Sequence, residues 1–214
     1  MLLRRQTRRI DRRPAAAAAE GGVPNLFRLD LGSGQEQRLL TSPQFQFPND
    51  VTADGATVIY QQRTTLGNWD LMRVPLADPS RASALLASSS SETNARLSPD
   101  GTRFSFSSDQ AGRPRVYVSP FPPAGTPTAV SPDGGGRARW RRDGLELYYL
   151  SPTQQLMAVA IDGAGKAGAP RALFDAANWI DFDVARDGRF IAVVSTATAG
   201  DRPLTVIANW RPPD

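Results

Sequence analysis

Two groups of side chains in this chain of 214 residues have the types and spacing for chemistry. Asp181 and Asp183 stand two apart, beside Trp179 and Phe182. On a strand such a pair shares a face. Two carboxylates flanking a sugar can hydrolyse a glycoside, one as acid and the other as base or nucleophile. The competing reading of the pair is a polar wall at the entry to a turn. The second group is RARWRRDG, Arg137 to Gly144. Strict alternation would put Arg137, Arg139 and Arg141 on one face and Trp140 on the other. Stacked guanidinium groups can grip carboxylates or phosphates through two parallel hydrogen bonds. Trp140, on the opposite face, reads as core, and the three arginines then serve surface or inter-sheet contacts.

Absences narrow the chemistry. The sequence contains no His and no Cys. Ser-His-Asp and Cys-His catalysis, imidazole acid–base work, disulfides and the usual zinc ligand sets are therefore excluded. No G-x-S-x-G elbow occurs, and no cofactor signature is present. The apolar runs fall far short of the ~20 residues that span a bilayer as a helix.

The calculated pI of about 10.1 is a local effect. The first 13 residues carry six Arg and one Asp; without them the totals of 25 basic and 21 acidic groups fall to 19 and 20. A near-neutral body argues against nucleic acid as a partner. Residues 1–22 read as an Arg/Ala-rich tail, disordered or weakly helical. Only five alanines follow its basic segment before Glu20, too few for the apolar core of a secretory signal.

The elements that must position these residues are set by a repeat. Asp-Gly pairs stand at Asp54-Gly55, Asp100-Gly101, Asp143-Gly144 and Asp187-Gly188, at steps of 46, 43 and 44 residues. A period of about 40–45 with short strands marks propeller blades. Asp133-Gly134 is out of phase and reads as a loop between blades, although its SPDG matches residues 98–101. Three residues before each in-phase Asp stand Val51, Leu97, Trp140 and Val184. Four after it stand Val58, Phe104, Leu147 and Ile191, and two further on Tyr60, Phe106, Tyr149 and Val193. This period-2 pattern predicts a hairpin about each Asp-Gly, with the four residues at the fourth place after the Asp in equivalent, buried environments. Third strands follow in DLMRVPL, RVYVSPF, LMAVAID and PLTVIANW, and fourth strands in SALLA, TAVS and RALFD.

The predicted fold is all-β, a propeller of four-stranded antiparallel blades, with helix confined to the tail. The blade units fall at about 25–40 (a half unit, with Gly32-Ser33-Gly34 as its turn), 46–87, 92–130, 137–175 and 180–210, within a propeller region spanning 23–214. About four blades are recognisable, and the strand count predicts an incomplete ring belonging to a larger propeller. Four-blade closure, with QEQRLL pairing to LTVIAN, is the alternative. An incomplete ring would leave unpaired edges near Leu26–Asp30 and Leu204–Asn209, which recruit partners or aggregate.

RLSPDGTRFSFSSDQAGRPRVYVSPF, RWRRDGLELYYLS and FDVARDGRFIAVVS resemble the blades of TolB-type, WD-repeat-like bacterial propellers over roughly residues 24–210. The stretch LFDAANWIDFDVARDGRFIAVVS, with PLTVIANW, also resembles propellers at the C-terminus of membrane-anchored bacterial Ser/Thr kinases. The resemblance implies a periplasmic or envelope-associated scaffold that docks proteins. The chain departs from TolB in showing neither a signal peptide nor an N-terminal α/β domain, and from the kinases in lacking a Gly-rich loop or catalytic Lys.

The expected function is thus a non-catalytic module for protein interaction or ligand sensing, with a protein partner and no cofactor. A carboxylate-dependent glycoside hydrolase or lyase is the alternative. Four residues before the in-phase markers stand Asp50, Arg96, Arg139 and Asp183. They are expected on the innermost strands, pairing Asp50 with Arg96 and Arg139 with Asp183. Arg96, Arg139, Arg141 and Asp183 are the candidate partner-binding residues.

Overall fold

In the computed structural model, which describes residues 23–30 and 32–195, the four in-phase Asp-Gly pairs close hairpins by one device. The glycine N–H donates to the carbonyl three residues back, at Thr52, Ser98, Arg141 and Ala185, over 2.7–3.1 Å. Each glycine has φ between 71° and 82°, where a side chain would strain the backbone. Each aspartate accepts the N–H two residues on, from Ala56, Thr102, Leu145 and Arg189. Each also accepts from a neighbouring side chain, Thr52, Ser98, Arg141 or Arg189, and Asp100 from the Thr102 hydroxyl as well. These side-chain hydrogen bonds, then the backbone ones, hold all four carboxyls below their ordinary range. The out-of-phase Gly134 bonds back to Ser131 in the same way, but it joins two different sheets.

Sixteen strands are described. They run β1 (Phe27–Leu29), β2 (Glu36–Arg38), β3 (Gln46–Val51), β4 (Thr57–Arg63), β5 (Trp69–Pro75), β6 (Ser83–Leu86), β7 (Glu92–Leu97) and β8 (Arg103–Ser108). The second half is β9 (Arg115–Pro120), β10 (Thr128–Ala129), β11 (Gly136–Trp140), β12 (Glu146–Leu150), β13 (Gln155–Ala160), β14 (Arg171–Asp175), β15 (Trp179–Val184) and β16 (Phe190–Val194). Each sheet is a meander: β1-β2, β3-β4-β5-β6, β7-β8-β9-β10, β11-β12-β13-β14 and β15-β16. Before the first marker, β1 and β2 form a two-stranded antiparallel pair. The third strand expected at PLTVIANW lies outside the described residues. One element departs from the expectation that helix is confined to the tail. Pro79–Arg81 forms a single 3₁₀ turn, capped by the Asp78 carboxylate, which accepts from the Ser80 N–H and hydroxyl.

The chain divides into two compact units, one ending at Ala95 and the other beginning at Arg96, so that the boundary falls within β7. In the first, β1-β2 and β3–β6 enclose Leu26, Leu39, Val58, Tyr60 and Val74. Asn49 Oδ1 and Gln61 Oε1 accept the Ala95 and Asn94 N–H groups and tie the end of this unit to its sheet. In the second, Val116 and Val118 pack with Trp140, Leu147 and Tyr149. The other face of the β11–β14 sheet, with Tyr148 and Leu150, packs on Phe182, Phe190 and Ala192.

The fourth hairpin corrects the predicted register. Val58, Phe104 and Leu147 are at most 1% exposed, but Ile191 is 46% exposed and Val193 42%. The reason is a missing residue. The loop closes from Thr52, Ser98 and Arg141 onto the carbonyl five residues on, whereas Ala185 closes onto Arg189, four on. Val184 therefore pairs with Phe190, where Trp140 pairs with Leu147. A slip of one residue exchanges the two faces of a strand. Phe190 and Ala192 take the buried places, at 4% and 2% exposure.

Candidate functional site

Strand β11 does not alternate as the sequence suggests. Its pairing with β12 shifts register between Gly136 and Arg139, and Arg137 adopts φ of 59°. Such a bulge re-aims side chains, so Arg137, Arg139 and Arg141 do not form one stack. The Arg137 side chain is 44% exposed, whereas that of Arg139 is 9% exposed. Arg141 sits in its hairpin turn.

Arg139 is the centre of the arrangement. Its Nη1 donates to the Ala138 carbonyl at 2.9 Å and its Nη2 to Asp181 Oδ1 at 2.8 Å. Its guanidinium carbon lies 5.7 Å from the centroid of the Phe182 ring, a cation–π distance. Asp183 Oδ1 is 4.0 Å from its Nε. The expected pairing with Asp183 is present only at 4.0 Å, and Asp181, which was not expected there, is the closer partner. The bulge in β15 between Trp179 and Asp181 places Asp181 against Arg139. Asp181 also reaches Arg137 Nη1 at 4.0 Å and accepts the Phe182 N–H. Burial lowers the Arg139 pKa, with the charge of Arg96 adding to the effect, and the two aspartates oppose them. Arg96 is brought near by Trp140, whose indole N–H donates to the Arg96 carbonyl at 3.0 Å. Trp140 is 9% exposed and belongs to the core, as its apolar place in the repeat implies.

Arg141 is engaged within its own blade. It holds both oxygens of Asp143 through Nε and the Glu146 Oε2 through Nη1. Hydrogen bonding to Asp143 raises its pKa. Glu146, 8% exposed, also accepts from Tyr148 and Arg171 and becomes the hub of a polar network. Burial, then the bond to Glu146, pushes the Tyr148 hydroxyl up to about 12. Asp50 lies in the first unit, where it accepts the Val51 N–H. The roles of Phe182 and Glu146 escape the repeat, since neither occupies a marked place.

Asp181 and Asp183 do share a neighbourhood, as their spacing requires. Asp181 is occupied by a guanidinium and an amide, and the Asp183 side chain is 80% exposed. Among the described residues no group of three or more Asp or Glu is placed to hold a metal ion. No described helix is long and apolar enough to cross a membrane.

The fold is that of a β-propeller of the TolB kind. No family model matches the sequence. Among solved structures the chain is similar to TolB from Acinetobacter baumannii, at 18% identity and a TM-score of 0.67, over 82% of this chain and 44% of that one. A putative TolB from Agrobacterium tumefaciens matches at 15% identity and 0.62, over 81% and 66%. A gluconolactonase from Xanthomonas campestris matches at 15% and 0.62, over 79% and 62%. The chain thus spans less than two thirds of the length of each. At these identities the likeness is one of fold, and the fold carries an enzyme as well as the TolB proteins.

Proposed function

We propose that the chain is a non-catalytic propeller module that binds a protein partner through an acidic group, as part of a larger envelope or signalling protein. The observation that carries the reading is the state of Asp181. It is the carboxylate best placed for chemistry, beside an aromatic cluster, and its Oδ1 already accepts from both the buried Arg139 and the Phe182 N–H. A carboxylate used in this way positions a guanidinium. The proposal gives Arg96 and the exposed Arg137 the task of receiving the partner's carboxylate, with the buried Arg139, held by Asp181, adding its positive charge to the patch. Asp183 sets the limit of the positive patch. Arg141, held by Asp143 and Glu146, supports the blade.

A second reading, a carboxylate-dependent hydrolase or lyase, draws on the exposed Asp183 and on the gluconolactonase among similar structures. One pair of measurements separates them. Anisotropy of a labelled Asp/Glu-rich peptide should show binding that weakens with salt and falls at least tenfold in Arg96→Glu. Turnover of glycosides, lactones or polyuronates by the full chain, abolished by Asp183→Asn, would replace the first reading with the second.

A further inference from the structure

A cross-strand rung in the first unit holds buried oxygen atoms that the fold leaves bare. Gln46 pairs with Gln62 between β3 and β4, and Gln62 with Asp70 between β4 and β5. Residues paired in this way project from one face. Gln46 is 3% exposed; its Nε2 donates to Gln62 Oε1 at 2.8 Å, and its Oε1 is buried without a hydrogen-bond partner. At the other end of the rung Asp70 Oδ1 is also buried without a partner. In the next repeat Ser108 takes the place of Gln62, eight residues after the marker, and its cross-strand partner is Arg115.

Buried polar atoms in native proteins are satisfied by protein, water or an ion, and each exception calls for a reason. Both orphans here are acceptors, one of them on an acid, so what they lack is a hydrogen-bond donor or a cation. Oxygen donors select hard cations over soft metals. We propose that the Gln46–Gln62–Asp70 rung binds a hard cation of the Ca²⁺ type, with Gln46 Oε1 and Asp70 Oδ1 as its protein ligands and water completing the shell. A single carboxylate makes the site weak, in the millimolar range of low-charge calcium sites. This site takes a cation, whereas the Arg139 cluster takes an anion, so the two stand or fall separately.

Trp69, next to Asp70 in the chain, supplies the probe. The chelator-treated full chain is titrated with Tb³⁺, a luminescent stand-in for Ca²⁺ excited through tryptophan. Saturable luminescence, displaced by millimolar Ca²⁺, is expected. Asp70→Asn and Gln46→Leu should each weaken it at least tenfold, and Asp133→Asn should leave it unchanged. Absence of a saturable signal, or its survival in Asp70→Asn, overturns the site. Thermal melting gives a reading independent of the variants' folding: Ca²⁺ should raise the midpoint of the unaltered chain, and no rise overturns the proposal.

Discussion

The aspartates of the Asp-Gly pairs are clips, and the clip can be distinguished from the letters that spell it. Asp100 accepts from the Ser98 hydroxyl at 2.5 Å, the Thr102 N–H at 3.0 Å and the Thr102 hydroxyl at 2.8 Å. Asp133 stands in the same tetrapeptide, SPDG, and its turn is closed by the Gly134 N–H on Ser131. At net values of about 0.5–1.5 kcal/mol per hydrogen bond, Asp100→Ala should destabilise the chain by about 1–2 kcal/mol in urea melts. Asp133→Ala should fall within about 0.5 kcal/mol of the unaltered chain, as surface substitutions usually do. Equal effects would mean that the tetrapeptide, whatever its phase, is the structural unit. The acid dependence follows in sign. Carboxyls held below their ordinary value in the fold contribute stability that is complete above the unfolded pKa of about 3.9. That stability is lost as pH falls through the folded values of Asp54, Asp100, Asp143 and Asp187. Asp100→Asn should accordingly flatten the loss of stability on acidification below about pH 4.

At the scale of the element, the strands and turns were legible because apolar alternation and Asp-Gly phase agree. What was not legible was a change of one residue in loop length. DGTRF and DGRF differ by a threonine between the glycine and the apolar strand, and that difference exchanges Phe190 for Ile191 in the core. The signal is in the sequence: Phe104 stands four residues after its Asp and Phe190 three after its own. Truncating a buried Phe costs about 3–5 kcal/mol, so Phe190→Ala should lower stability by about that much and Ile191→Ala by less than about 1 kcal/mol. The reverse order would restore the register expected from even spacing. Bulges hid the site in the same way. A period-2 reading cannot place Arg139 opposite Asp181 when β11 and β15 each carry a register shift. With the Arg139 side chain 9% exposed, removing its close partner leaves a charge poorly compensated, an effect of about 3–5 kcal/mol for a fully buried pair. Because the Asp181 side chain is 40% exposed, Asp181→Asn should fall below that range, at about 1–3 kcal/mol. Arg139→Met, which removes the charge and keeps the bulk, should destabilise less than Arg139→Ala.

At the scale of the molecule, the period of 43–46 residues describes the sheets well and says nothing of how they associate into cooperative units. The division at Ala95 and Arg96 falls inside a strand, where no change in composition marks it. Its cause is in the packing. The first unit gathers its apolar side chains about Val58 and Tyr60. In the second, both faces of the β11–β14 sheet are covered, one by the cluster of Leu147 and Tyr149, the other by that of Tyr148 and Phe190. Cooperative segments follow shared cores, and their opening is visible in amide hydrogen exchange. Val58→Ala should therefore speed exchange in β3–β5 while leaving β11–β13 protected, and Leu147→Ala should do the opposite. Leu147→Ala should have the larger effect, since Leu→Ala in a core costs about 2–5 kcal/mol and Val loses fewer methyl groups. Should either substitution accelerate exchange equally throughout both sets of strands, the two units would unfold as one, and the boundary at Ala95 would be a feature of the geometry without a counterpart in the energetics.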